Sequence, residues 1–184
     1  MRNRKDTQAR ILNAAKALFW TRGYSSVAMR DIASQAKTDV ALVARYFGSK
    51  KRLFLATLDG ALIWPGISGK TGEDVLNHMI QRLAKDGREG QDITAIRMLL
   101  VNISDPEVGA EVRARYLAGL YEPMQSAFAR RYDDTAIALL AATLVGLSLG
   151  RSLLQIPELT ELAPDLYAQL LRDTAQTTLH YRSP

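Results

Sequence analysis

Between Thr7 and Arg22 there is neither glycine nor proline, and Ile11, Ala14, Ala15, Leu18 and Phe19 recur at the spacing that places them on one side of a helix. An amphipathic helix of this kind has to cover its apolar side with other elements. The residues that follow supply them in short pieces. Gly23 stops the first helix, because glycine takes a left-handed cap without a side-chain penalty. Residues 28–36 read as a second helix with Met29, Ile32, Ala33 and Ala36 on one face and Ser26 as its cap. Lys37 and Thr38 make a turn and Asp39 caps a third helix, 40–47, with Leu42, Val43 and Phe47 toward a core. Gly48 ends it, and Ser49 caps a fourth helix through Leu53, Phe54 and Leu58 toward Leu62. Two short helices joined by a tight turn behind a longer brace have helix-turn-helix geometry.

Residues 64–72 contain Pro65, Gly66, Gly69 and Gly72 and read as a hinge. Beyond it the periodicity gives helices at about 73–85, 92–103, 106–132, 135–154 and 164–181, so the expected fold class is all-α. Pro106 and Pro164 suit first-turn positions, whereas Pro123 lies inside a helical pattern and should kink it. The apolar stretch 136–150 falls short of the roughly 20 residues that span a bilayer, so a buried helix is expected there and no membrane partner. The start is basic but lacks the apolar run of a signal peptide, which makes the cytoplasm the expected compartment.

Charge divides unevenly along the 184 residues. Residues 1–52 hold 12 Lys and Arg against Asp6, Asp31 and Asp39, a net +9, while the remainder is −4 within an overall +5. Such asymmetry is the electrostatic footprint of a nucleic-acid module joined to an acidic or neutral one. Enzymatic readings fare worse. There is no cysteine to act as nucleophile or thiolate ligand, and the only histidines are His78 and His180. No catalytic constellation, metal site or cofactor is expected.

Arg10-Ile11-Leu12, Ala14-Ala15, Leu18-Phe19, Gly23-Tyr24, Met29-Arg30-Asp31-Ile32-Ala33 and Ala36 form one continuous pattern, completed by Leu42-Val43, Tyr46-Phe47, Ser49-Lys50 and Leu53. Over this first third the chain resembles the TetR family of transcriptional repressors. Three positions depart from the family's habit: Val27 stands for a threonine, Lys37 for a glycine and Ala44 for an aromatic residue. The resemblance implies a ligand-responsive repressor that binds a near-palindromic double-stranded DNA operator as a homodimer. It would be released by a small-molecule effector of unknown identity in the C-terminal domain. The corresponding domains are 1–52, a helix-turn-helix DNA-binding domain whose fourth helix continues to about 64, and 65–184, a helical ligand-binding and dimerisation bundle. The competing reading is a helical architectural or interaction protein whose basic end binds DNA nonspecifically.

A helix entering the major groove needs small or polar residues on its leading face. Val40, Ala41, Ala44, Arg45 and Tyr46 are available, with Arg45 suited either to guanine or to a phosphate. The family pattern adds Arg30. Lys50, Lys51 and Arg52 crowd the first turn of a helix, where the dipole disfavours cations, and an arriving phosphate would relieve that cost. Arg2, Arg4 and Lys5 form a basic arm, either contacting DNA or disordered.

In the C-terminal half, Trp64, Met79, Met98, Tyr116, Tyr121, Met124 and Phe128 are candidate pocket walls with Arg97 as polar anchor, although most such residues serve as ordinary core. Ala138, Ala142, Gly146 and Gly150 recur every fourth residue as a seam for a close partner helix, and Leu162, Leu166 and Leu170 form a second stripe. Each stripe alone suits an intramolecular core, and together with the DNA reading they suit a dimer interface.

Overall fold

The computed structural model describes residues 2–62, 69–85 and 91–181, with side chains at all of these except 2, 3 and 91–94. The described residues are helical, without a strand. They form two compact units, Met1–Leu62 with Arg97–Arg115 and Ile63–Ile96 with Tyr116–Pro184. The sequence reading gives everything beyond residue 64 to one domain, whereas in the structure the segment 97–115 folds with the N-terminal residues. Most of the expected hinge and Trp64 itself fall on 63–68, outside the described residues.

In the first unit α1 (Arg2–Arg22) is a long brace against which α2 (Met29–Gln35) and α4 (Lys50–Thr57) pack, with α3 (Val40–Phe47) between them in the chain. The amphipathic stripe behaves as the periodicity requires, since Ile11, Ala15 and Phe19 are fully buried with Ile32, Val43, Leu53 and Phe54. Phe54 meets the rings of Phe19 and Tyr24 edge-on, both at 5.3 Å between centroids. The Trp20 indole N–H donates to Thr57 Oγ1 at 3.2 Å, so the largest side chain of the brace keeps its polar atom satisfied inside the core. The expected cap of α2 shifts: Ala28 takes the cap position, and the Asp31 carboxylate reaches back to accept its N–H at 2.8 Å. Ser25, next to the expected cap Ser26, donates its hydroxyl to the Asp105 carboxylate. The unit is completed by the C-terminal half of α6 (Gln91–Asn102) and by α7 (Gly109–Tyr116). Gly109 permits this connection, because a Cβ there would lie 2.5 Å from the Ile103 carbonyl oxygen.

The second unit is a helical bundle in which α11 (Pro164–Leu179) packs on α9 (Asp134–Ser152) and α5 (Gly72–Lys85), and α8 (Glu122–Phe128) packs on α5 and α9. Its core contains Val75, Met79, Ile80, Met124, Phe128, Ile137, Leu140, Leu144, Tyr167 and Leu171. Each of the Val, Ile, Leu, Met and Phe side chains among them contributes roughly 1.5–3 kcal/mol on burial. The long helix expected over 106–132 is broken into α7, a π-helical turn Leu117–Tyr121 and α8. Pro123 explains the break. It has no N–H for the carbonyl four residues back and its ring crowds that turn, so the backbone widens, with the Glu122 N–H reaching the Leu117 carbonyl. The short α10 (Pro157–Thr160) was not anticipated from the sequence. By length and composition α9 is long and apolar enough to cross a membrane, contrary to the shorter stretch read from sequence, yet its Ile137, Leu140, Leu144 face is core of this unit. Arg151 near its end is also buried, its guanidinium 4.0 Å over the Tyr167 ring and its Nη2 donating to the Leu162 carbonyl at 3.1 Å.

Candidate nucleic-acid interface

Both reading-end helices begin as their residues dictate. Asp39 accepts from the Ala41 N–H at 2.7 Å and Ser49 Oγ accepts from the Arg52 N–H at 3.1 Å, each satisfying a donor that the first turn leaves free. Val43 is the wholly buried residue of α3, while Leu42 and Phe47 are half-buried against the unit. The opposite side presents Val40, 42% exposed, with Ala41, Ala44 and Arg45 also exposed, and Tyr46 half-buried beside them. An apolar valine left in water next to two alanines and a guanidinium makes a low-relief surface of the kind that lets a helix approach base edges. Arg30 is 85% exposed, and its 4.0 Å approach to the Asp31 carboxylate is too long and too wet to hold it. The basic N-terminal residues are not a free arm: α1 starts at Arg2, and the Arg4 guanidinium sits 5.8 Å from the centroid of the Tyr46 ring.

The lysines of α4 are less free than the sequence suggests. Lys50 Nζ lies 4.1 Å over the Tyr24 ring. Lys51 Nζ pairs with Glu111 Oε1 at 2.6 Å and donates to the Glu107 carbonyl at 3.0 Å. That pairing holds the Glu111 carboxyl below its ordinary value, chiefly through the hydrogen bond from Lys51.

Segment 97–115 makes further polar bonds to the head, none of which the sequence analysis singled out. Asn102 is fully buried; its Oδ1 accepts from the Tyr24 N–H at 2.7 Å and its Nδ2 donates to the Phe19 and Met98 carbonyls at 3.1 and 2.9 Å. The Tyr24 N–H lies just past the end of α1 and finds its acceptor in Asn102, so a side chain from a remote segment finishes the helix end. The Tyr24 hydroxyl donates to Glu107 at 2.9 Å, and burial together with that carboxylate pushes its pKa up to about 12. Burial pushes the Asp105 carboxyl up, but hydrogen bonds from the Ser25 hydroxyl and from the Glu107 and Val108 N–H groups outweigh it and leave the carboxyl below its ordinary value. Arg115 closes the set on Asp59 at 2.8 Å. The one sequence signal was Asn102 itself, a polar residue ending the apolar run from Met98 to Val101.

Residues 11–57 match the family model described as bacterial regulatory proteins, tetR family, and residues 70–179 match that of the tetracyclin repressor-like C-terminal domain. The chain belongs to the TetR family. Over 119 residues this TetR-family chain is 31% identical to the HTH-type transcriptional repressor Rv3405c of Mycobacterium tuberculosis, which covers 61% of this chain and 62% of that protein. It thus spans under two thirds of the length of the curated relatives it matches. Its fold is that of NalD, the secondary repressor of the MexAB-OprM multidrug efflux pump in Pseudomonas aeruginosa, with a TM-score of 0.73 at 19% identity, covering 97% of this chain and 98% of the other. It is also that of MexZ, a key repressor responsible for antibiotic resistance in the same organism, with a TM-score of 0.70 at 21% identity and 97% and 96% coverage.

The remaining sequence candidates separate by burial. Met79, Met98, Met124 and Phe128 are core residues, and Met98 with exposed Arg97 belongs to the first unit. Tyr116, just before the π turn, and Tyr121, its last residue, are half-buried, and burial raises the Tyr116 pKa, helped by Tyr121. On α9, Ala138, Ala142 and Gly146 are exposed, and a Cβ at Gly146 would meet nothing within 4 Å. Gly150 departs from that seam. It is buried, and a Cβ there would meet Leu159 at 3.0 Å and Ile156 at 3.3 Å, because α10 folds over it. Leu166 is 56% exposed on α11, while Leu162 and Leu170 are half-buried against the core of their own unit.

Proposed function

We propose that this TetR-family chain is a ligand-responsive transcriptional repressor acting in the cytoplasm. It binds a near-palindromic DNA operator as a homodimer and is released when a small molecule occupies the second unit. The observation that carries the reading is the exposed Val40, Ala41, Ala44, Arg45 side of α3, capped by Asp39 within the basic end of the chain. In this reading Ala41 and Ala44 allow close approach to bases, Arg45 and Arg30 contact bases or phosphates, and Tyr46 and Lys50 hold the backbone. Lys51 reaches a phosphate only by leaving Glu111. The dimer is supported by the exposed apolar residues Ala138, Leu139, Ala142 and Gly146 on α9 and by exposed Leu166 on α11. A single short helix reads few bases, and a two-fold pair doubles the site. Selection of bound duplexes from a random pool under competitor DNA tests the proposal. It should return an inverted repeat, and equal affinity for scrambled duplexes would leave only the nonspecific architectural role.

A further inference from the structure

The ends of three helices in the second unit enclose a cleft of about 540 Å³. The start of α5, the end of α8 with the two residues Arg131 and Tyr132, and the last turns of α11 each contribute side chains to it. Its apolar surface comes from Leu76, Phe128 and Leu179, all buried members of the core, together with the Tyr132 ring. Two guanidinium groups line the same space. Arg172 is held by Asn77, whose Oδ1 accepts from Nη1 at 2.6 Å, and Asn77 is neutral. Arg131 lies 5.5 Å from the centroid of the Tyr132 ring. Neither guanidinium has a carboxylate within ion-pairing distance among the described residues, and the one acid lining the cleft is Glu73. The cleft therefore joins an apolar wall, in which the Phe128 and Tyr132 rings are tilted 54° to one another, to two cations that no carboxylate among the described residues pairs with.

We propose that this cleft binds a small carboxylate with a flat apolar body, its ring lying against Phe128, Tyr132 and Leu179 and its carboxylate received by Arg131 and Arg172. A guanidinium matches a carboxylate with two parallel N–H donors, which gives orientation as well as affinity. The apolar body supplies the burial that an exposed ion pair alone lacks. For the cleft's consequence on DNA the inference rests on the sensor reading above; for binding itself it does not.

Calorimetric titration of the full chain with naphthoate and with its uncharged twin naphthamide tests the site. Naphthoate should bind at least tenfold more tightly than naphthamide. Arg131→Gln and Arg172→Gln should each remove most of that preference, while Arg130→Gln, an exposed neighbour outside the lining, should leave it intact. Circular dichroism confirms that the variants stay helical. Equal binding of the two compounds, no binding at millimolar concentration, or an unchanged preference in the Arg131→Gln/Arg172→Gln double variant would overturn the proposal. Repeating the titration with selected operator present separates the two claims, since a coupled effector must lose affinity by the factor by which it weakens DNA binding. Arginine-dependent binding without that coupling upholds the cleft and removes its sensory role.

Discussion

Replacing Asn102 by leucine keeps the side chain's approximate size and removes all its hydrogen bonds. The Phe19 carbonyl retains a partner, since the Gly23 N–H donates to it at 3.2 Å. The Tyr24 N–H does not; its acceptor is the lost amide, in a site with no exposure of Asn102 to water. An orphaned buried donor costs about 1–3 kcal/mol, and the two bonds from Nδ2 add about 0.5–1.5 kcal/mol each. The apolar surface of leucine returns part of this, so Asn102→Leu should destabilise the first unit by about 2–4 kcal/mol. Trp20, buried in the same unit and bonded to Thr57, provides the signal: urea unfolding followed by its fluorescence should show the midpoint fall with an unchanged slope. Asn102→Asp should be worse, because it turns a donor to two carbonyls into a buried carboxylate facing them. A loss below about 0.5 kcal/mol for the leucine variant, the range of ordinary surface substitutions, would refute the idea that this amide finishes the end of α1.

Glu111→Gln should release Lys51 toward phosphate, so that affinity rises alike for operator and scrambled duplexes and the salt slope steepens by about one, read by fluorescence anisotropy across a salt series. Lys37 has a φ of 50°, a left-handed conformation costly for any residue with a Cβ. Lys37→Gly should therefore raise stability by about 0.5–1 kcal/mol in urea titration, the relief of strain exceeding glycine's entropy cost. The Tyr24 phenol has a folded pKa of about 12 against an ordinary value of 10.0, so the stability it contributes is fully present below pH 10.0 and is lost as pH rises toward about 12. Tyr24→Phe should flatten that alkaline decline, measured by unfolding at a series of pH values beside an absorbance titration of tyrosinate. Ala142→Glu places a charge on the exposed α9 stripe and should yield folded monomers with sharply weaker operator binding in sedimentation and shift assays. A variant still dimeric would place the interface elsewhere.

What could be read without coordinates is what a turn or two of chain decides. The bounds of α3, 40–47, follow from Asp39 at one end and Gly48 at the other, and the cap of α4 from Ser49, because a side chain reaches its own helix start whatever the rest of the molecule does. The apolar stripe of α1 and the position of the exposed side of α3 follow likewise from a period of 3.6 residues. Local reading failed where two local solutions compete, as at α2, where Asp31 rather than Ser26 serves the first turn. It also failed at Pro123, where sequence shows that a helix must yield but not that it yields by a π turn. The path of the chain settled the rest. Tyr24 and Asn102 are 78 residues apart, and no periodicity brings a distant amide to a helix end or sets Glu111 beside Lys51. Gly150 looked like one more step of the α9 seam until α10 folded over it. Periodicity fixes which residues share a face, but which neighbour covers that face depends on loops and turns whose free energies are settled only when the whole core closes.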